Sequence, residues 1–382
     1  MSNNNSREHG AVSLFVVVFA AMLITVVTVS FIRIMVREQQ QATAIDLSQS
    51  AYDSAQAGVE DAKRALLRYQ TICGDPDLIS SECADAKQNF LESQVCNQAL
   101  TGIVVDTNDE VKIQQTTGDA VLDLDQAYTC VKIALQTKDY IGTLNKNDTK
   151  IIPLRGTSSF DRVIISWFSP SNLKADTKTV NVPSLGSGTP LISDWVSTSE
   201  PNRPPIIRAQ LMQFSDSGFV LSDFDGGYNA STIFLYPSSI SKASSIVSPS
   251  TIRGTPSAPV PVHCDEDLSL GIYACSATIL LPDPVGGTSA SRVAYLNLSA
   301  SYRATNYQIQ LLSGSTVVQF DAVQPIVDST GRANDMFRRV ESRIETVSGT
   351  YPSSAVSLSG NLCKKFSVTD TVAGYTPSDC NP

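Results

Sequence analysis

Residues 11–32 read AVSLFVVVFAAMLITVVTVSFI, an uncharged and strongly apolar run of 22 residues. As a helix it spans about 33 Å, enough to cross a hydrocarbon core of about 30 Å. The run is longer than the roughly 7–15 apolar residues of a secretory signal. No A-x-A-type cleavage site follows it; the next residues are Arg33, Ile34, Met35, Val36 and Arg37. The segment is therefore expected to stay in the mature chain as a single transmembrane span. Before it stands a short polar head, MSNNNSREHG, ending in Gly10.

Working outward, the helical signal does not stop with the apolar run. From Arg33 to Tyr69 the only glycine is Gly58 and there is no proline. A stripe at spacings of three and four runs through Ile45, Ser48, Tyr52, Ala55, Val59, Ala62, Leu66 and Tyr69, which marks one helical face with a period near 3.5. Glu60 precedes Lys63 and Arg64 by three and four residues, a favourable helix-surface pairing. One continuous helix of about 60 residues, roughly 90 Å long, is expected. It has a transmembrane half over 11–36 and an amphipathic half over 37–70. Ile45, Tyr52, Ala55, Val59, Ala62, Leu66 and Tyr69 are expected to hold the second half against the chain's own head. The sequence Cys73-Gly74-Asp75-Pro76 ends the helix.

Beyond it the pattern changes. Residues 73–127 are polar and mixed, with a short helix expected over 82–100. Strand signals follow at 128–135, 162–168, 205–214, 231–236, 277–281, 292–302, 307–312, 316–320 and 337–347, separated by loops rich in Ser, Gly, Pro and Asn. The expected fold is α+β, a long N-terminal helix packed on an antiparallel, β-rich head. The weak stretch at 237–263 suggests two parts of that head, 71–240 and 260–382.

The 382 residues carry a net charge of -9, which argues against a nucleic-acid surface. All eight cysteines follow the apolar run: Cys73, Cys83, Cys96, Cys130, Cys264, Cys275, Cys363 and Cys380. None forms the close C-x2-4-C pairs of a tetrahedral zinc site. Disulfides and an oxidising compartment are the better reading. Sequence cannot select among the 105 possible pairings; the expectation adopted is neighbour pairing, Cys73–Cys83, Cys96–Cys130, Cys264–Cys275 and Cys363–Cys380. On Lys and Arg alone, Arg7 before the span against Arg33 and Arg37 after it would place the C-terminal head in the cytoplasm. The charge imbalance is small, and the cysteines outweigh it, so the head is expected outside.

Enzyme chemistry is hard to build here. Of two histidines, His9 lies in the polar head and His263 stands beside Cys264. No G-x-S-x-G elbow, Walker A motif or HExxH is present, and the chain is read as a non-enzyme. Asp216, Asp223 and Asp225, and the run Asp265-Glu266-Asp267, are the candidates for calcium, the one cofactor considered. Neither group has the D-x-[DN]-x-[DN]-G pattern, and solvated turns are the simpler reading.

The arrangement of a polar leader ending in Gly10, a membrane-length helix starting at Ala11, and the alanine-rich stretch AYDSAQAGVEDAKRA at 51–65 resembles the type IV pilin superfamily, most closely its PilX-like minor pilins. The resemblance covers residues 7–70. It implies cleavage by a prepilin peptidase between Gly10 and Ala11, leaving 1–10 as a leader. It further implies contact with an assembly platform and, through the N-terminal helix, with other pilin subunits as well as membrane lipid. Cys363–Cys380 is similar to the disulfide-bounded C-terminal loop of many pilins. Major pilins carry Phe at the first mature position and Glu at the fifth; this chain has Ala11 and Phe15. A carboxylate in lipid is expensive unless paired, so its absence changes what the subunit can contact. The resemblance is thus to a minor, filament-priming or tip-proximal subunit, found in the membrane and then at the cell surface. The competing expectation is a single-pass extracellular adhesin that never polymerises. No nucleic-acid partner is expected.

Overall fold

The computed structural model describes residues 9–74, 83–84, 95–97, 110–113, 125–146, 148–174, 178–183, 195, 201–215, 230–241, 245–248, 259–269, 271–286 and 292–345, with backbone only for 9–13, 215, 230 and 292. The chain forms two units, one from residues 1–135 and 324–346, the other from 136–323 and 347–382. Residues 136–323 are inserted in the first unit: the chain leaves it after Leu135 and re-enters it at Gln324.

The first unit is built on α1 (His9–Gly74), a single uninterrupted helix of 66 residues and about 99 Å. Its sheet has the order β1 (Val111–Lys112), β2 (Gln126–Thr137), β14 (Phe320–Ala333), β15 (Met336–Arg343). The two strands that border the insertion in sequence, β2 and β14, are thus neighbours in the sheet. Along β14, Val327, Ser329, Gly331 and Ala333 are buried while Ile326, Asp328, Thr330 and Arg332 are half-exposed, the period-two alternation of a sheet with one covered face. The outer face is tied by Arg332. Its guanidinium donates to both carboxylate oxygens of Glu110 (2.6 and 3.1 Å) and to Asp125 (2.8 Å), linking β14 to the residues that flank β1 and β2.

The second unit is a sandwich of two sheets. One has the order β13 (Thr316–Val318), β12 (Thr305–Ser313), β5 (Phe160–Trp167), β10 (Cys275–Val285), β8 (Ile246–Val247), with β3 (Tyr140–Leu144) also on β12. The other has the order β4 (Thr149–Leu154), β11 (Arg292–Ser301), β6 (Ile206–Ser215), β7 (Ala230–Ser238), β9 (Val260–His263). Both sheets feed one core, in which Ile165 and Trp167 of β5 and Ile309 of β12 join Ile207 of β6, Leu235 of β7 and Leu296 of β11.

The α+β class is as expected, with three differences in detail. Two edge pairings, β8 on β10 and β9 on β7, are parallel. The expected division at 237–263 falls between β7 and β9, which are hydrogen-bonded neighbours. That stretch crosses from one sheet to place β8 on the other and returns as β9, so its weak signal reflects a crossover. Finally, most of β14 carried no strand signal, because Pro325, Gly331 and its charged residues break the apolar run. The helix expected over 82–100 lies largely outside the described residues; Cys83 and Ala84 are helical and 95–97 form a turn.

Candidate functional site

The first unit's helix has two halves with different neighbours. Every residue from 14 to 46 is exposed. Seventeen large apolar side chains between Leu14 and Val36 are 47–76 % exposed. At about 1.5–3 kcal/mol for each fully buried chain, leaving them in water would cost tens of kcal/mol, more than the roughly 5–15 kcal/mol that holds a whole domain folded. Among the described residues, none covers this segment. It is long and apolar enough to cross a membrane. Its hydroxyls are closed off locally: Thr25, Thr28 and Ser30 donate to the carbonyls of Ala21, Ile24 and Val26 at 2.6–2.8 Å. No polar group of those side chains needs water. Residues 37–46 (REQQQATAID) then form a bare polar neck of about 15 Å.

From Leu47 onward the helix lies on its sheet. The fully buried positions are Ala51, Ser54, Ala55, Val59, Ala62 and Leu66, with Gly58 also buried. Small residues dominate because the contact is close to backbone level. A methyl group on Gly331 would fall inside contact distance of Ala51 O and Ala55 N; one on Gly58 would meet Ser329 Oγ, Val131 (2.8 Å) and Tyr128 (3.2 Å). Polar clasps fix the register. The buried Tyr128 phenol donates to Asp61 at 2.8 Å, and Arg338 of β15 donates to Ser48 at 2.7 Å. Burial and the Asp61 carboxylate both push the Tyr128 phenol well above its ordinary range. On the opposite face of the sheet Arg332 holds the Asp125 carboxyl below its usual range.

Two of the packing residues expected from sequence are corrected. Ile45 is 68 % exposed and Tyr52 46 %. Ile45 lies a turn ahead of the first sheet contact at Ser48. Tyr52 is displaced because Ala51 and Ala55 face Gly331, where no ring fits, and because a stripe of period 3.5 drifts on a helix of period 3.6. Ala55, Val59, Ala62 and Leu66 are buried, and Tyr69 is half-buried. Ala51, Ser54 and Gly58 join them as packing positions outside the apolar stripe, and the small residues in SQSAYDSAQAG are their sequence signal. Gly10 and Ala11 both lie in the first turn of α1, which begins at His9.

The structure forms Cys73–Cys83, Cys96–Cys130 and Cys264–Cys275; Cys363 and Cys380 lie outside the described residues. Each bridge has a distinct task. The first ties the C-terminal end of α1 to the following segment. The second brings Asn97 against β2, where its side chain accepts from Val131 N (2.9 Å) and donates to Thr129 O (3.3 Å), occupying the strand edge beyond the short β1. The third joins the residue after β9 to the first residue of β10, one in each sheet of the sandwich.

His263 is pinned between Ile240 O and Asp265 Oδ1 (3.0 Å). Asp267 accepts from Ser269 instead, and among the described residues no group of three or more His, Cys, Asp or Glu is placed to hold a metal ion; Asp216, Asp223 and Asp225 lie outside the described residues. Two open cavities accompany these features. One of about 490 Å3 is lined by Leu47, Asp125, Arg332, Asn334, Asp335 and Met336 where the helix meets the sheet. The other, about 450 Å3, lies among residues 179–182, Pro201, Asn202 and Glu266.

The chain matches no family model, no curated protein and no solved structure.

Proposed function

We propose that this chain is a minor subunit of a type IV pilus-like filament, held in the membrane by the first half of α1 and then incorporated into, or priming, the fibre. The observation that carries the reading is the division of one helix into a bare apolar half and a half seated on its own sheet. A prepilin peptidase removes residues 1–10, and the apolar half exchanges lipid for the helices of neighbouring subunits as the assembly platform raises it. The β-rich head stays outside the cytoplasm, where its disulfides form. The leader ending at Gly10, the alanine-rich 51–65 stretch and the oxidised cysteines support this reading over a cytoplasmic one. Mass spectrometry of the membrane-extracted and fibre-bound protein tests it. A mature chain beginning at Ala11 and present in sheared fibres is expected. An unprocessed chain confined to the membrane would refute the filament role and leave an anchored surface adhesin.

A further inference from the structure

The second unit's sheet of β4, β11, β6, β7 and β9 carries, on its outer face, polar groups that are spent on nothing. Strand register sets them in two adjacent rows, Ser299–Arg208–Phe234 and Asn297–Gln210–Thr232. Alternate residues of the same strands, among them Ile207, Ala209, Leu298 and Ile233, fill the core, so both rows point away from it. Arg208, Gln210, Thr232, Asn297 and Ser299 are half-buried, and Phe234 is 39 % exposed. Among the described residues, none of those five polar side chains makes a hydrogen bond or ion pair. The outer face of the other sheet is the contrast. There polar side chains satisfy one another, as in Ser166–Ser276, Thr143–Asn306 and Gln308–Asp139.

Rings close the strip at both ends. At one end Trp195 packs on Ile206 and Tyr236, and meets Tyr302 at 5.7 Å. At the other, Phe214 stacks on Tyr295 at 5.6 Å and 16°. Ile206 lies in the row before Arg208, and Met212 pairs with Tyr295 in the row after Gln210. The distance from Ile206 to Met212 along β6 is about 20 Å. Between these ends Arg208 is the only charged side chain on the face.

We infer that this strip binds an acidic oligosaccharide, one whose sugar rings carry carboxylates. The Arg208 guanidinium is a rigid fork of donors that matches a carboxylate. The amides of Gln210 and Asn297 and the hydroxyls of Thr232 and Ser299 both donate and accept, as sugar hydroxyls do. Phe234 offers a flat apolar surface to a sugar ring beside them. A protein partner calls for an apolar centre, and a nucleic acid for several cations; the strip has one cation among neutral hydrogen-bonding groups. The net charge of -9 disfavours anions in general, which puts the attraction for an acidic ligand on Arg208. The inference concerns the head alone and is independent of the filament role.

Isothermal titration calorimetry of the detergent-solubilised full chain tests it. The probes are tetramers of galacturonate, mannuronate and hyaluronan, together with sialyllactose. At least one should bind, and methyl esterification of its carboxylates should weaken binding about tenfold or more, the scale of a hydrogen bond to a charged group. Arg208→Gln should lose as much for the acid and nothing further for the ester. Arg208→Lys keeps the charge without the fork and should recover only part of the loss. Asn297→Ala and Gln210→Ala should each weaken binding about three- to tenfold. Thr278→Val, on the outer face of the other sheet, should bind as the parent does. Thermal midpoints should stay at the parent value throughout, because the side chains replaced in the strip hold nothing in place. Failure of the parent to bind any of the four probes would overturn the inference, as would undiminished binding by Arg208→Gln. Equal binding of tetraglutamate would also overturn it, by assigning the strip to an acidic peptide. The filament role is scored separately, by the mature N-terminus and presence in fibres, so either reading can fail without the other.

Discussion

Replacing Gly331 by alanine places a methyl group where the backbone of α1 already lies. Its nearest neighbours are Ala51 O, Ala55 N and Ser54 C (2.8 Å), all main-chain atoms of one helix. A side chain could rotate away; these atoms can yield only if the helix lifts from the sheet. Lifting loosens the packing of Ala55, Val59 and Ala62, each fully buried. Overpacking typically costs about 1–3 kcal/mol, and the immovable neighbours put Gly331→Ala at the upper end, about 3 kcal/mol. Two controls isolate the cause. Gly58→Ala meets side chains of Ser329, Val131 and Tyr128, which can partly adjust, and gains about 1 kcal/mol of helix propensity, so its net cost should be smaller. Gly314→Ala meets nothing within 4 Å, but its φ of +61° costs about 1 kcal/mol of backbone strain. Thermal unfolding of the detergent-solubilised full chain, followed by circular dichroism with disulfides intact, should rank Gly331→Ala as the most damaging. An unchanged midpoint for Gly331→Ala would show that helix and sheet are not in backbone contact.

The same seat predicts that Leu66→Asp, burying an unpaired carboxylate, costs at least about 3 kcal/mol, whereas Ile45→Asp leaves the midpoint unchanged; equal losses would contradict the division between seated and bare helix. Tyr128→Phe should cost about 1–2 kcal/mol at neutral pH by removing the bond to Asp61. Because folding raises the phenol's pKa, its stabilisation is complete below its unfolded value of about 10 and is lost as pH rises further, so a pH series of melts should show the parent losing its advantage above about pH 10. Replacing Cys264 and Cys275 together by alanine should cost about 3 kcal/mol from the lost loop constraint; a denaturant titration that shows no shift would mean the two sheets need no staple.

Sequence alone determined the parts of this protein that depend on local order. An uncharged run of 22 residues with no breaker after it can only be a long greasy helix, and its continuation to Gly74 followed from the lack of proline. The alternating strands β5, β10, β11 and β12 were legible because one face of each is apolar. Tertiary structure decided what depends on residues far apart in the chain. β14 is hidden in sequence by Pro325 and Gly331, yet it forms the floor under α1, and Gly331 is there because the helix backbone comes too close for a side chain. For the same reason the seated face is Ala51, Ser54, Ala55 and Gly58 and excludes Ile45 and Tyr52: periodicity finds a stripe, but only the opposing strand says how much room it has. The pairing of β2 with β14 around a 188-residue insertion has no local signature either, since strand neighbours are chosen by the shared core and not by the residues between them.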